Sequence, residues 1–90
     1  MAVSQYNLAL MYIEGRGGLP RDDAEGVRRL RLAAEADNAP AQVLLAQHYE
    51  QGARGVPRDW REALRLYRLA AAAGDAAADA AIRRLERRAP

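Results

Sequence analysis

The sequence predicts an all-α protein: a right-handed α/α solenoid of two helix-turn-helix repeats with a C-terminal capping helix. Three observations predict it. First, the chain repeats itself. Shifted by 37 positions, residues 2–38 fall on residues 39–75 without a gap, with 17 identities in 37 aligned positions. A period of roughly 20–50 residues marks an architecture in which each repeat buries its apolar face on its neighbours. Second, half the residues are hydrophobic, yet 21 are Ala and none is Phe. Such a core must come from close helix–helix approach, and Ala is the best helix former. Third, apolar residues recur at helical spacing between clear start and stop signals. The 90 residues make one small domain: repeat one over 2–38, repeat two over 39–75, and a capping helix over 76–90.

The first helix of each repeat, helix A, is expected over about 2–14 and 39–51. Leu8 and Tyr12 are one turn apart, as are Leu45 and Tyr49, so each pair shares a face. Gly15 and Gly52 stand where a left-handed C-terminal cap is needed. The loops that follow end in Leu19-Pro20 and Val56-Pro57; Pro cannot continue a helix, so each is a tight interhelical turn.

Helix B opens with a capping box, Asp22 three residues before Glu25 and Asp59 three before Glu62. The Asp accepts from exposed N–H groups while the Glu reaches back. It runs to about Ala36 and Ala73, carrying Val27, Leu30, Ala33 and Ala34, then Leu64, Tyr67, Ala70 and Ala71, on its 3.6-residue period. Asn38 and Asp75 suit N-caps of the next helix, and Pro40 falls in a first turn, where Pro is tolerated.

A third helix A starts near Ala76. Ile82 matches Leu8 and Leu45, but Arg83 falls on the Ala9/Ala46 position and Glu86 on the Tyr12/Tyr49 position. Charge at two former core positions predicts a capping helix with a solvated outer side. The N-terminus shows no equivalent polar cap, which leaves that end open to an upstream segment or to self-association.

The pattern Ala2, Leu8-Ala9, Tyr12, Gly15, Gly18, Pro20, Asp22 and Ala33-Ala34 resembles the SEL-like (Sel-one-like) repeat family, α/α repeats related to tetratricopeptide repeats. The second copy, with Leu45-Ala46, Tyr49, Gly52, Gly55-Val56-Pro57, Asp59, Ala63, Tyr67, Ala70-Ala71 and Gly74, is the closer match. Repeat one departs at Gly26, where the family has a helix Ala, at Arg29, where it has an aromatic, and at Asp37, where it has a closing Gly. Gly26 is expected to cost roughly 1 kcal/mol against Ala and to make helix B of repeat one the softest element. The resemblance implies a non-catalytic adaptor for protein complexes, often in bacterial or membrane-associated signalling.

The side-chain inventory is consistent with that. There is one His, one Ser, no Thr, no Cys and no Lys. Without cysteine, disulfides and thiolate metal sites are excluded. Ser4 and His48 come from different helices with no reason to meet as nucleophile and base; a packing or surface role accounts for His48. Asp22 and Asp23 begin a helix, where capping and the helix dipole explain them. The Gly-rich loops lack the Gly-Lys-Ser/Thr of a phosphate cradle. No catalytic residue, metal or cofactor is expected. No apolar run approaches a membrane span and no signal pattern opens the chain, so a cytoplasmic location is the default, with a removed signal segment as the alternative.

The 14 Arg stand against 12 acids, for a net charge of +2. Arg61, Arg65 and Arg68 share a face of helix B, while Arg83, Arg84, Arg87 and Arg88 crowd the last helix. Pairs four apart, Glu25 with Arg29, Arg31 with Glu35 and Asp79 with Arg83, are expected to bond locally. Aromatic residues are not interleaved with the Arg, which argues against nucleic acid. The alternative function is nonetheless a basic end that meets nucleic acid or an acidic partner.

The favoured partner is another protein. Stacked helix pairs curve, with helix A lining the concave side. Beside the packing residues lie Tyr6, Leu10, Ile13 and Glu14 in repeat one, Val43, Gln47, Glu50 and Gln51 in repeat two, and Arg84, Arg87 and Arg88 in the last helix. The expected groove is apolar at one end, acidic in the middle and basic at the other, suited to an extended peptide or a helix.

Overall fold

Asp22 and Asp59 show how each repeat closes. The Asp22 side chain accepts from the Glu25 N–H at 3.1 Å, and its own N–H donates to the Tyr12 carbonyl at 2.8 Å. Asp59 does the same, accepting from Arg61 and Glu62 and donating to Tyr49. One residue therefore caps helix B and ties it to the end of helix A. This corrects the expected capping box: Glu25 and Glu62 do not reach back, because the N–H they would satisfy is already taken. They bind Arg28 and Arg65 instead, at 2.7 and 2.6 Å.

The computed structural model describes residues 4–88. Among them are five helices and no strand: α1 (Gln5–Glu14), α2 (Asp23–Glu35), α3 (Ala39–Gln51), α4 (Trp60–Ala72) and α5 (Ala76–Arg88). Ala2, the start of the first repeat, and residues 89–90 of the capping segment lie outside the described residues. Each helix packs chiefly on the next in the chain, giving an all-α helical repeat solenoid with principal extents of 42 × 26 × 16 Å.

Helix α1 starts later than the sequence suggested, since Ser4 is its N-cap and accepts from the Asn7 N–H at 3.1 Å. The only Ser of the chain is thus occupied as a cap. Helices α2 and α4 stop one residue short of the expected ends, with Ala36 and Ala73 as C-caps. Asn38 and Asp75 cap α3 and α5 as N-caps, each accepting at 3.0 Å. Gly15 and Gly52 take the left-handed conformation after α1 and α3. Asp37 takes it as well, with φ of 64°, where repeat two has Gly74.

The core is built from small and medium side chains in contact: Ala9, Leu30, Ala41, Leu45, Ala46, Ala63, Tyr67, Ala70 and Ala78 are all nearly inaccessible. Helix α5 continues it through Ala78, Ala81 and Leu85, while Arg83 and Glu86 stay exposed. Between repeats, buried Gln42 donates to the Ala34 carbonyl at 3.1 Å, and Arg54 reaches back to Asp23 at 3.2 Å.

Gly26 reverses its sequence reading. It is buried, and a Cβ there would lie 2.5 Å from Ile13 Cγ1 and 3.2 Å from the Ala9 carbonyl oxygen. It is a close-approach position that lets Ile13 fit, so it packs α2 against α1.

Candidate functional site

The sequence-predicted face is carried by α1, α3 and α5, whose positions correspond in four rungs. Tyr6, Val43 and Ala80 form one, Leu10, Gln47 and Arg84 the next, Ile13, Glu50 and Arg87 the third, and Glu14, Gln51 and Arg88 the last.

Along α1, Tyr6 and Leu10 are half-buried, with Tyr6 packed on the core. Ile13 is not on the face. It is 6% exposed, turned into the α1–α2 contact beside Gly26. Its apolar character is explained by burial, the stronger use of a large aliphatic side chain. Glu14 is exposed and pairs with Arg16 at 2.7 Å. Along α3, Val43 is half-buried against the core, while Gln47 and Gln51 are exposed.

Glu50 is brought together with Arg84, and also with Tyr67, which sequence reasoning placed only in the core. The Tyr67 hydroxyl donates to Glu50 Oε1 at 2.8 Å, and both terminal nitrogens of Arg84 donate to the same carboxylate. The Arg84 guanidinium holds the Glu50 carboxyl below its usual range, against the opposing effect of partial burial. Burial pushes the Tyr67 phenol well above the ordinary tyrosine range, and the Glu50 charge adds to it. The cluster ties α3, α4 and α5 into one polar knot. A signal for it existed in the repeat: Glu50 and Tyr67 replace Ile13 and Leu30 together, a polar pair in place of an apolar one.

This alters the electrostatics of the face. Its middle is not a free acidic patch, because Glu50 is neutralised in place. Arg87 and Arg88 are exposed and make no ion pair among the described residues. The result is a strip that is apolar at α1, uncharged in the middle and basic at the end of α5.

The remaining Arg are mostly engaged locally. Arg29 pairs with Glu25 as expected, at 2.7 Å. Arg31 does not pair with Glu35; it donates to the Tyr49 hydroxyl at 2.6 Å and lies over that ring at 5.4 Å. Asp79 and Arg83 form no ion pair although both are described. Arg65 binds Glu62, Arg68 reaches Glu86 at 3.5 Å, and Arg61 stacks over Trp60. His48 is 6% exposed, with Nε2 buried and unpartnered. Burial, with Arg54 nearby, lowers its pKa against a smaller opposing pull from Asp23. It is a packed neutral imidazole. None of the described helices is long and apolar enough to cross a membrane.

Comparison with known proteins fits this architecture. The family model for the Sel1 repeat matches residues 2–38 and 39–75. No curated protein matches the chain. Among solved structures, the chain is similar to that of c5321, a protective antigen present in uropathogenic Escherichia coli strains displaying an SLR fold, with a TM-score of 0.72 and 30% sequence identity. The similarity covers 87% of this chain but only 16% of that one, so the chain spans a small part of that protein's length. With two repeats matched in succession and the helical solenoid present, the chain belongs to the Sel1 repeat family of non-catalytic protein–protein interaction modules.

Proposed function

We propose that this chain is an adaptor that binds an extended peptide or a helix of a partner protein along the α1–α3–α5 face. The observation that carries the reading is the graded strip: half-buried Tyr6, Leu10 and Val43 at one end, neutral Gln47 and Gln51 between, and Arg87 and Arg88 at the other. A partner matched to it has apolar side chains followed by acidic ones. Apolar anchors supply affinity, and rim charges supply orientation and encounter rate. Glu50 and Arg84 hold the platform rather than contact the partner, since each already satisfies the other.

The same pairing weakens the nucleic-acid alternative. Eight of the 14 Arg, Arg84 of the basic end among them, pair with carboxylates, which thins the basic side chains open to a phosphate-tracking surface.

The test is affinity capture with wild type beside a Leu10→Glu/Arg87→Glu variant, both shown to be folded by circular dichroism. Both positions are accessible, unlike Ile13 and Glu50, whose substitution would disturb packing. The variant is expected to weaken partner binding at least tenfold, since it removes an anchor and inverts an end charge. Equal capture by both proteins would move the interaction off this face.

A further inference from the structure

The repeat poses one packing problem twice. Helix α3 fills a slot on α2, and α5 fills the equivalent slot on α4. The first fit is close and the second is not.

On α2 the slot takes an amide, an aliphatic side chain and a phenol. Buried Gln42 donates to the Ala34 carbonyl at 3.1 Å. Leu45 is 3% exposed. Tyr49 is buried as well, and its hydroxyl accepts from Arg31 at 2.6 Å. On α4 the receiving groups are the same, Arg68 and Ala71 standing for Arg31 and Ala34. What α5 offers them is different. Asp79 takes the place of Gln42; its carboxylate has no N–H to give the Ala71 carbonyl, and it stays exposed. Ile82, in the place of Leu45, is half-buried. Glu86 replaces the tyrosine and meets Arg68 at 3.5 Å, with both side chains more than half exposed.

The hold on α5 is correspondingly light. Its buried side chains are Ala78, Ala81 and Leu85, so one leucine supplies most of the apolar anchoring. The Arg84–Glu50 pair adds to it, but Arg84 is nearly half exposed, and exposed pairs contribute little. The connection from α4 passes through Gly74 at φ of 95°, with no other group packed against it. Helix α3, by contrast, is held between α2 and α4. A helix anchored as α5 is opens ahead of the rest of the fold.

We propose that α5 is a releasable stand-in for a partner helix, and that the slot it covers on α4 takes an amphipathic helix with the α3 pattern. That helix brings Gln for the Ala71 carbonyl, Leu three residues later, Tyr four after that for Arg68, and a cation for Glu50 in place of Arg84. Recognition of a helix in a groove reads side chains at this three- and four-residue spacing. Because α5 carries Arg87 and Arg88, its release also takes the basic end off the α1–α3–α5 face. A helix in the slot and a peptide on that face therefore oppose each other.

The test titrates the isotope-labelled full chain with a peptide that copies residues 38–51 and carries Gln47→Arg, beside the same peptide with Leu45→Glu added. Amide NMR reports the site. The first peptide is expected to shift Arg68, Ala71 and Gly74 and to move Ala78, Ala81 and Leu85 to the positions of a released α5. The second is not. The tethered α5 competes at an effective concentration of about 1 mM or more, so weakening its hold should raise the peptide's affinity. Leu85→Ala is expected to bind the first peptide about tenfold more tightly than wild type. Arg84→Gln changes an accessible residue, carries the comparison if Leu85→Ala does not fold, and is expected to bind about threefold more tightly. The proposal is overturned by an absence of shifts at about 5 mM peptide in the folded variants, by equal affinity of wild type and variants, or by equal binding of the two peptides. Signals of α5 that move with protein concentration alone would put a second copy's helix in the slot and overturn it too.

Discussion

Gly26 and Ile13 share one volume. Repeat two has Ala63 and Glu50 at the equivalent positions, and there the Glu50 carboxylate turns to Tyr67 and Arg84. Helix propensity alone predicts that Gly26→Ala stabilises by about 1 kcal/mol. The 2.5 Å approach to Ile13 predicts the reverse. Overpacking of this kind costs about 1–3 kcal/mol, so chemical denaturation should find Gly26→Ala destabilised by about 1 kcal/mol net. Adding Ile13→Ala, which removes the clashing Cγ1, should give a double variant less destabilised than the sum of the two single changes. His48 offers a second case. Met11 and Leu85 occupy its position on α1 and α5, and its buried Nε2 has no partner. His48→Met should stabilise the chain by about 1–2 kcal/mol. The unfolded imidazole takes up a proton near its ordinary value of 6.5, while the folded one resists until a lower pH. Stability should therefore fall as pH drops from there through the folded value, and His48→Met should remove that slope. Unfolding midpoints measured between pH 7.5 and pH 5 would check the sign.

At the scale of the element, the caps were the most legible part of the chain. Asp22, Asn38, Asp59 and Asp75 each cap the helix that the sequence assigned to them, because an N-cap is a local arrangement over three or four residues. What local reading missed was competition for partners. Glu25 was free to reach back until Tyr12 took the Asp22 N–H, and Arg31 was free to meet Glu35 until Tyr49 came near. Both competitors arrive from other helices, which spacing along one helix does not show. Helix α5 depends on such a long-range contact through Arg84 and Glu50. Arg84→Gln should loosen it by about 1 kcal/mol, a modest figure because the guanidinium is nearly half exposed and screened. Glu50 has a folded pKa below its ordinary 4.5. Its contribution is present above that value and lost as pH falls through the depressed one. The gap between wild type and Arg84→Gln should be open at pH 7 and narrow below pH 4.5, as pH falls towards the depressed value, in denaturant titrations.

At the scale of the whole molecule, the 37-residue period made the solenoid legible because the repeat is a statement about non-local packing. The candidate face was legible only in part. The rung positions follow from periodicity, but Ile13 left the face for the core, and Glu50 lost its free charge to Arg84. Both shifts depend on side chains of neighbouring helices that fill or neutralise a site. The same comparison describes the N-terminal end. Positions that pack Ala41, Leu44 and Leu66 against the core hold Ser4, Asn7 and Arg29 in repeat one, and Arg29 donates to Gln5. Among the described residues that end face is polar, so the described unit is expected to stay monomeric in light scattering despite the self-association that its sequence left open.

The most direct measurement of the adaptor reading is hydrogen exchange on the chain, alone and with a captured partner bound. Slowed exchange should concentrate on the accessible rungs of α1, α3 and α5, from Tyr6 and Leu10 to Arg87. Slowed exchange confined to α2 and α4, with those three helices unchanged, would contradict it.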